Sequence, residues 1–161
     1  MANVRITTNT TGTQPVIQIG LTGANLANSS QTITVPFVQD LTITNSTGVY
    51  AYTDFTDVDQ RKLSTPADNQ ISTNIVVDAT SYFGDTAGTA NTAPYLGIAS
   101  LSTNKNTLDF KVYWNGTANG AHYYSGSGFI TNLAPTTSPT APVWVTPLNI
   151  AVDGSFTSGT V

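Results

Sequence analysis

The sequence predicts an α+β domain built mainly of antiparallel β-sheet, and three observations carry that prediction. Of 161 residues, 29 are Thr, 13 Ser and 14 Asn, while Glu is absent. β-Branched Thr suits a pleated surface, and Asn and Ser suit turns. Several segments alternate apolar and polar residues with period two, the mark of a half-buried strand. Only one segment carries a helix pattern. The length is that of one domain spanning 1–161.

Taken in order, residues 1–30 read as an extended N-terminal arm, with Val4 and Ile6 alternating and a short strand or arm at Pro15–Gly20. Residues 32–157 form the core. In Thr32–Thr44 the apolar Ile33, Val35, Phe37, Leu41 and Ile43 share one parity, giving a strand with a bend or edge at Pro36. Asn45–Gly48 then reads as a turn. Residues 49–68 show no sustained helix period and form a long loop or protruding hairpin. A strand covers Ile71–Ala79, and Gly84–Asn91 is a polar loop.

The helix candidate is Thr92–Ser102. Thr92 can cap it, Pro94 fits its first turn, and Tyr95, Ile98 and Ala99 make one apolar edge. A clear strand runs through Leu108, Phe110, Val112 and Trp114. Asn115-Gly116 signals a turn, and the return strand is His122–Leu133, where Gly126 and Gly128 mark a bulge or close backbone approach. A proline loop, Ala134–Pro142, leads to the last strand region, Val143–Phe156, with Leu148, Ile150, Val152 and Phe156 on one face. Gly154 suggests a turn before a short arm. The count is about six strands and one short helix.

Charge is the scarcest commodity here. Charged residues make up 9% of the chain and the net charge is −4. Five basic residues do not make a phosphate-binding stripe, so the composition argues against tight nucleic-acid binding. An acidic wall instead keeps a polyanion from sticking. Few charges also leave sheet edges without their usual protection, which suits a surface covered by copies of the same chain. No Cys is present, so disulfides and thiolate chemistry are excluded. No apolar run is long enough to span a membrane, and the start lacks the apolar stretch of a secretory leader.

No constellation of catalytic residues survives inspection. His122 is the single histidine, and no G-x-S-x-G elbow accompanies it. Asp54, Asp57 and Asp59 cluster without the spacing of a calcium loop. Asn-x-Ser/Thr matches are expected by chance in so Asn-rich a chain. Tyr123 and Tyr124 near Trp114 suit packing better than sugar stacking. The reading is of a protein that is not an enzyme, with no catalytic residue, no cofactor and no metal. A carbohydrate-binding or surface-fibre β-sandwich module is the alternative.

The order of features resembles the tail tube (major tail) proteins of long-tailed bacteriophages. It runs from Phe37-Val-Gln-Asp-Leu-Thr-Ile-Thr44 through Arg61-Lys-Leu-Ser-Thr-Pro66, Ile71–Asp78, the helix Pro94–Leu101, and Leu108–Trp114. Ser125–Leu133 and Asn149–Gly154 complete it. The resemblance covers roughly 32–161. It implies an antiparallel β-sandwich or barrel with one short flanking helix. It further implies hexameric rings stacked into a tube, inside a virion tail assembled in the host cytoplasm. Its partners would be further copies of itself and other tail proteins (sheath or terminator, baseplate), with DNA passing through the lumen without specific binding. On this reading Val4, Ile6, Tyr50, Tyr52, Phe55 and Leu63 lie at subunit contacts, and Asp40 and Asp109 are the candidates to face the lumen.

Overall fold

Where apolar alternation is uninterrupted, strands form as the period dictates. The computed structural model describes residues 14–56 and 58–161. Its elements are β1 (Val16–Leu21), β2 (Thr32–Thr34), β3 (Thr42–Tyr52), β4 (Arg61–Val76), α1 (Ala79–Phe83), α2 (Ala93–Thr103), β5 (Leu108–Tyr113), β6 (His122–Leu133), β7 (Thr136–Ser138) and β8 (Ala141–Thr160). All pair antiparallel in the order β2-β1-β5-β6-β8-β4-β3, with β7 on β8.

The sheet cannot be flat. Val35 N–H donates to Ile17 O on β1 at 2.8 Å, and Val38 bridges Ile75 on β4. β1 and β4 stand four strand steps apart, about 19 Å in a flat sheet. Three residues of chain reach only about 11 Å. The sheet therefore curls, and the stretch 32–41 draws its two margins together.

Inside the curl lies one core. Ile17 and Ile19 of β1, Ile71 of β4, Leu108, Phe110 and Val112 of β5, and Leu148 and Ile150 of β8 are all fully buried. Ile98 and Leu101 of α2 join the same cluster. An aromatic ladder continues it: Phe110 meets Phe156 edge-on, Phe156 stacks on Tyr124 at 5.4 Å, and Trp114 meets Tyr124 edge-on.

Several expectations are corrected. The arm over 1–30 does not extend through its second half. β1 pairs along its whole length with β5, because two isoleucines at alternate positions gain more by burial than by exposure. The strand expected over Thr32–Thr44 is broken at Pro36-Phe37. Proline removes a ladder donor and Phe37 takes φ 48°, so the parity of the run resets and Phe37 turns outward. Asn45–Gly48 is not a turn but the middle of β3, with a bulge between Thr47 and Val49.

The strand expected over Ile71–Ala79 ends at Val76, and an unforeseen α1 follows, capped by the Asp78 carboxylate accepting from Ser81 N–H at 3.0 Å. Thr92 makes no side-chain cap of α2; its hydroxyl donates to Thr89 O. Inside α2, Gly97 takes φ 74°, and a Cβ there would fall on the backbone of Phe83 and Gly84. The kink is therefore the seat of α1 against α2. Gly154 is a bulge at φ 90° instead of a turn, and β8 runs on to Thr160 beside β6.

Two buried phenols give the fold an alkaline limit. Tyr82 and Tyr113 are each 7% exposed. Desolvation raises both above the ordinary value of 10.0, and for Tyr113 the neighbouring Tyr123 adds to the rise. The unfolded chain loses these protons first. Their contribution is thus intact below about pH 10 and is lost as pH climbs through the raised folded values. We expect the urea midpoint to fall above pH 10, and to fall less steeply in Tyr82→Phe/Tyr113→Phe. Equal slopes in the two proteins would refute this.

Candidate assembly surfaces

β4 is one unbroken strand of 16 residues, but β8 accompanies it only from Gln70 to Val76. Before that point it pairs with β3. The result is a two-stranded arm, 45–68 with its connection, standing off the sheet. At the fork Asn69 is buried at 3% exposure, and its Nδ2 donates to Gly154 O at 2.8 Å. This bond replaces the ladder rung that β4 and β8 would otherwise share.

Apolar residues on the arm have no core to enter. Tyr50 pairs across from Leu63 and stacks on Tyr52, with ring centroids 6.2 Å apart. Phe55 and Val58 at the tip are fully exposed. A lone two-stranded ribbon is at best marginal in water, so an arm of this composition calls for a covering surface. Tyr50, Tyr52, Phe55 and Leu63 are thus brought together on one feature. Val4 and Ile6 lie outside the described residues. Sequence reading missed Val58, whose only signal was its place among polar loop residues. It also missed Val143 and Trp144, exposed at the start of β8.

The second surface is the convex face of the sheet, opposite the core. Register places Gln18, Lys111, Ser125 and Thr157 in one row, and Gly20, Asp109, Ser127 and Asp153 in the next. Most side chains here are short and polar, with the longer Gln18, Lys111, Tyr123 and the exposed Phe129 among them. Asp109 accepts from Gly23 N–H at 2.7 Å and from Ser127 Oγ at 2.6 Å, and Lys111 Nζ sits 4.8 Å over the Tyr123 ring. Asp40 is not on a regular strand as expected. It lies in the irregular stretch after Phe37, where its carboxylate accepts from Asn74 N–H and Asn74 Nδ2, each at 2.7 Å. Asn74 projects from the same polar face, so Asp40 borders it.

Among the described residues, no group of His, Asp or Glu is placed to hold a metal. A groove of about 610 Å³ between Gln14, Val38, Ile43 and Trp114 has Asp40 as its single titratable lining group, and the asparagine occupies that. His122 contacts Thr160 Oγ1 at 3.3 Å, with no carboxylate beside it in the ladder. Tyr124 meets Trp114 edge-on and stacks on Phe156 within the aromatic ladder. No helix among the described residues is long and apolar enough to cross a membrane.

No family model and no curated protein matches this chain. Solved structures do. A chain from the tail of an empty gene transfer agent particle, refined helically with C6 symmetry, superposes with TM-score 0.62 at 15% identity, over 90% of this chain and 95% of that one. A chain from the sheath-tube complex of the extracellular contractile injection system PVC, in its extended state, gives 0.56 at 16% identity, over 91% and 88%. One from the baseplate of the anti-feeding prophage gives 0.58 at 7% identity, over 100% and 99%. At these identities the likeness is one of fold: the mainly antiparallel sheet with short helices is a tail-tube-like architecture.

Proposed function

We propose that this chain is a tail tube subunit, a structural protein of a virion tail. Six copies form a ring, rings stack into a hollow tube, and the tube conducts DNA into the host. The subunit performs no chemistry, and assembly takes place in the host cytoplasm. The observation that carries the reading is the apolar arm, built from a core strand and left without cover, on a fold shared with tail components. Tyr50, Tyr52, Phe55 and Leu63 make contacts to other subunits, joined by Val4 and Ile6.

The polar convex face supplies the lumen wall. Asp109, Asp153 and the bordering Asp40 set its sign, and short hydroxyl side chains keep it smooth. A wall of that sign repels a polyanion, so DNA slides without specific binding. The tube's further partners are the sheath or terminator and the baseplate. Electron microscopy of negatively stained protein at raised concentration tests the proposal. Six-fold rings or hollow tubes are the expected result; particles that stay monomeric at every concentration refute it.

A further inference from the structure

We infer that the arm of one copy docks on the opposite end of β4 in a second copy, against Phe37, Val143 and Trp144; this rests on the tube reading above. Sixteen residues of β4 span about 50 Å. At one end stand Tyr50, Tyr52, Phe55, Val58 and Leu63. At the other, Phe37 O accepts from Val76 N–H and Trp144 O accepts from Val77 N–H, so these residues flank the last of the strand. Phe37 is 69% exposed and Trp144 53%, with Val143 beside it at 46%.

Phe37 is strained as well as exposed. A bulky residue at φ 48° is uncommon, and its ring is left facing solvent. Both ends carry the aromatic residues that anchor interfaces. They are too far apart to cover each other within one molecule. Contact between unlike ends of successive copies propagates along an axis instead of closing. The arm's 24 residues over 45–68 also match the roughly 20–30 residues a side of a stable interface.

Charge assists at the neck of the arm. The acceptor end, drawn from 34–44, 72–85 and 134–147, holds Asp40, Asp78 and Asp85 and no Lys or Arg, whereas Arg61 and Lys62 are two of the chain's five basic residues. Asp54 and Asp59 at the tip oppose that attraction. Apolar contact therefore dominates, and salt has little effect on stacking.

The absence of Cys makes the test direct. Thr56→Cys/Gln39→Cys protein, substituted at exposed polar neighbours of the two patches so that every aromatic anchor is kept, is assembled, treated with a short bis-maleimide and run on a denaturing gel. A ladder of dimers, trimers and longer species is expected, while either single variant gives no species above a dimer. In parallel, Phe37→Asp/Trp144→Asp should keep its circular dichroism and thermal midpoint, still form rings, and yield at least tenfold fewer tubes. If the doubly substituted cysteine protein forms tubes without a ladder, or the aspartate variant stacks normally, the acceptor is wrong while the tube reading stands. If the unaltered chain never assembles, both fall together.

Discussion

Replacing Ser46–Asp68 with a two-residue Asn-Gly turn is expected to give a folded protein that no longer polymerises. Asn45 and Asn69 are directly paired, and Asn-Gly is the turn that joins paired strands at that separation. What is removed contributes nothing to the core: the large apolar residues of the segment are exposed. Asn69 and its bond to Gly154 remain, so the fork keeps its clamp. We expect monomer stability within about 1 kcal/mol of the intact chain by urea denaturation. Sedimentation should show one small species at concentrations where the intact protein assembles. Tubes from the shortened chain would show that the arm is dispensable and that other surfaces drive assembly.

The second large effect is the reverse: stability lost, with no surface altered. Phe110 is fully buried on β5, under Gly126, whose missing Cβ leaves room for the ring, and beside Phe156. Phe110→Ala is expected to cost about 3–5 kcal/mol, from lost burial plus the cavity left behind. A domain has only about 5–15 kcal/mol in total, so much of the variant would be unfolded on mild heating. Phe55→Ala makes the same chemical change at the exposed arm tip and should leave the monomer's urea midpoint unmoved while weakening assembly. If Phe110→Ala lowers the midpoint no more than Phe55→Ala does, the placement of the core is wrong.

These two phenylalanines also mark what the sequence could and could not reveal. Around Phe110 the alternation Leu108, Phe110, Val112 is unbroken, and hydrophobic burial acts locally, so β5 was legible with its face; β6 was legible as a strand, but a register shift after Ile130 leaves Phe129 exposed and brings Leu133 to the core. Gly126 and Gly128 were legible as a bulge or close backbone approach: the register shifts at Gly126, and a Cβ at Gly128 would fall on Ala151 O. Phe55 was legible as part of an unusual loop or hairpin. The arm's length was not, because polar residues such as Ser64, Thr65 and Asp68 pair in a ribbon that buries little, and period-two burial has nothing to act on there. The sequence leaves β1 as a short strand or arm, since its pairing with β5 joins residues about ninety apart, and no local pattern reports such a contact. Parity places Phe37 with the buried residues of its run, and one proline upstream reverses it. The polar convex face was legible only as scattered Ser, Thr and Asp, because register across β1, β5, β6 and β8 is what gathers them.

A strand that runs unbroken from the arm into the sheet also decides how the molecule bears a load. Tension at Phe55 is carried down β4 along its own axis. The seven rungs it shares with β8, Gln70–Val76, lie across that direction and are strained together in shear. Sideways force on the same arm would instead concentrate on the Asn69–Gly154 bond and open the rungs singly. The molecule is thus built to withstand a pull along β4 and to yield to a peel across it.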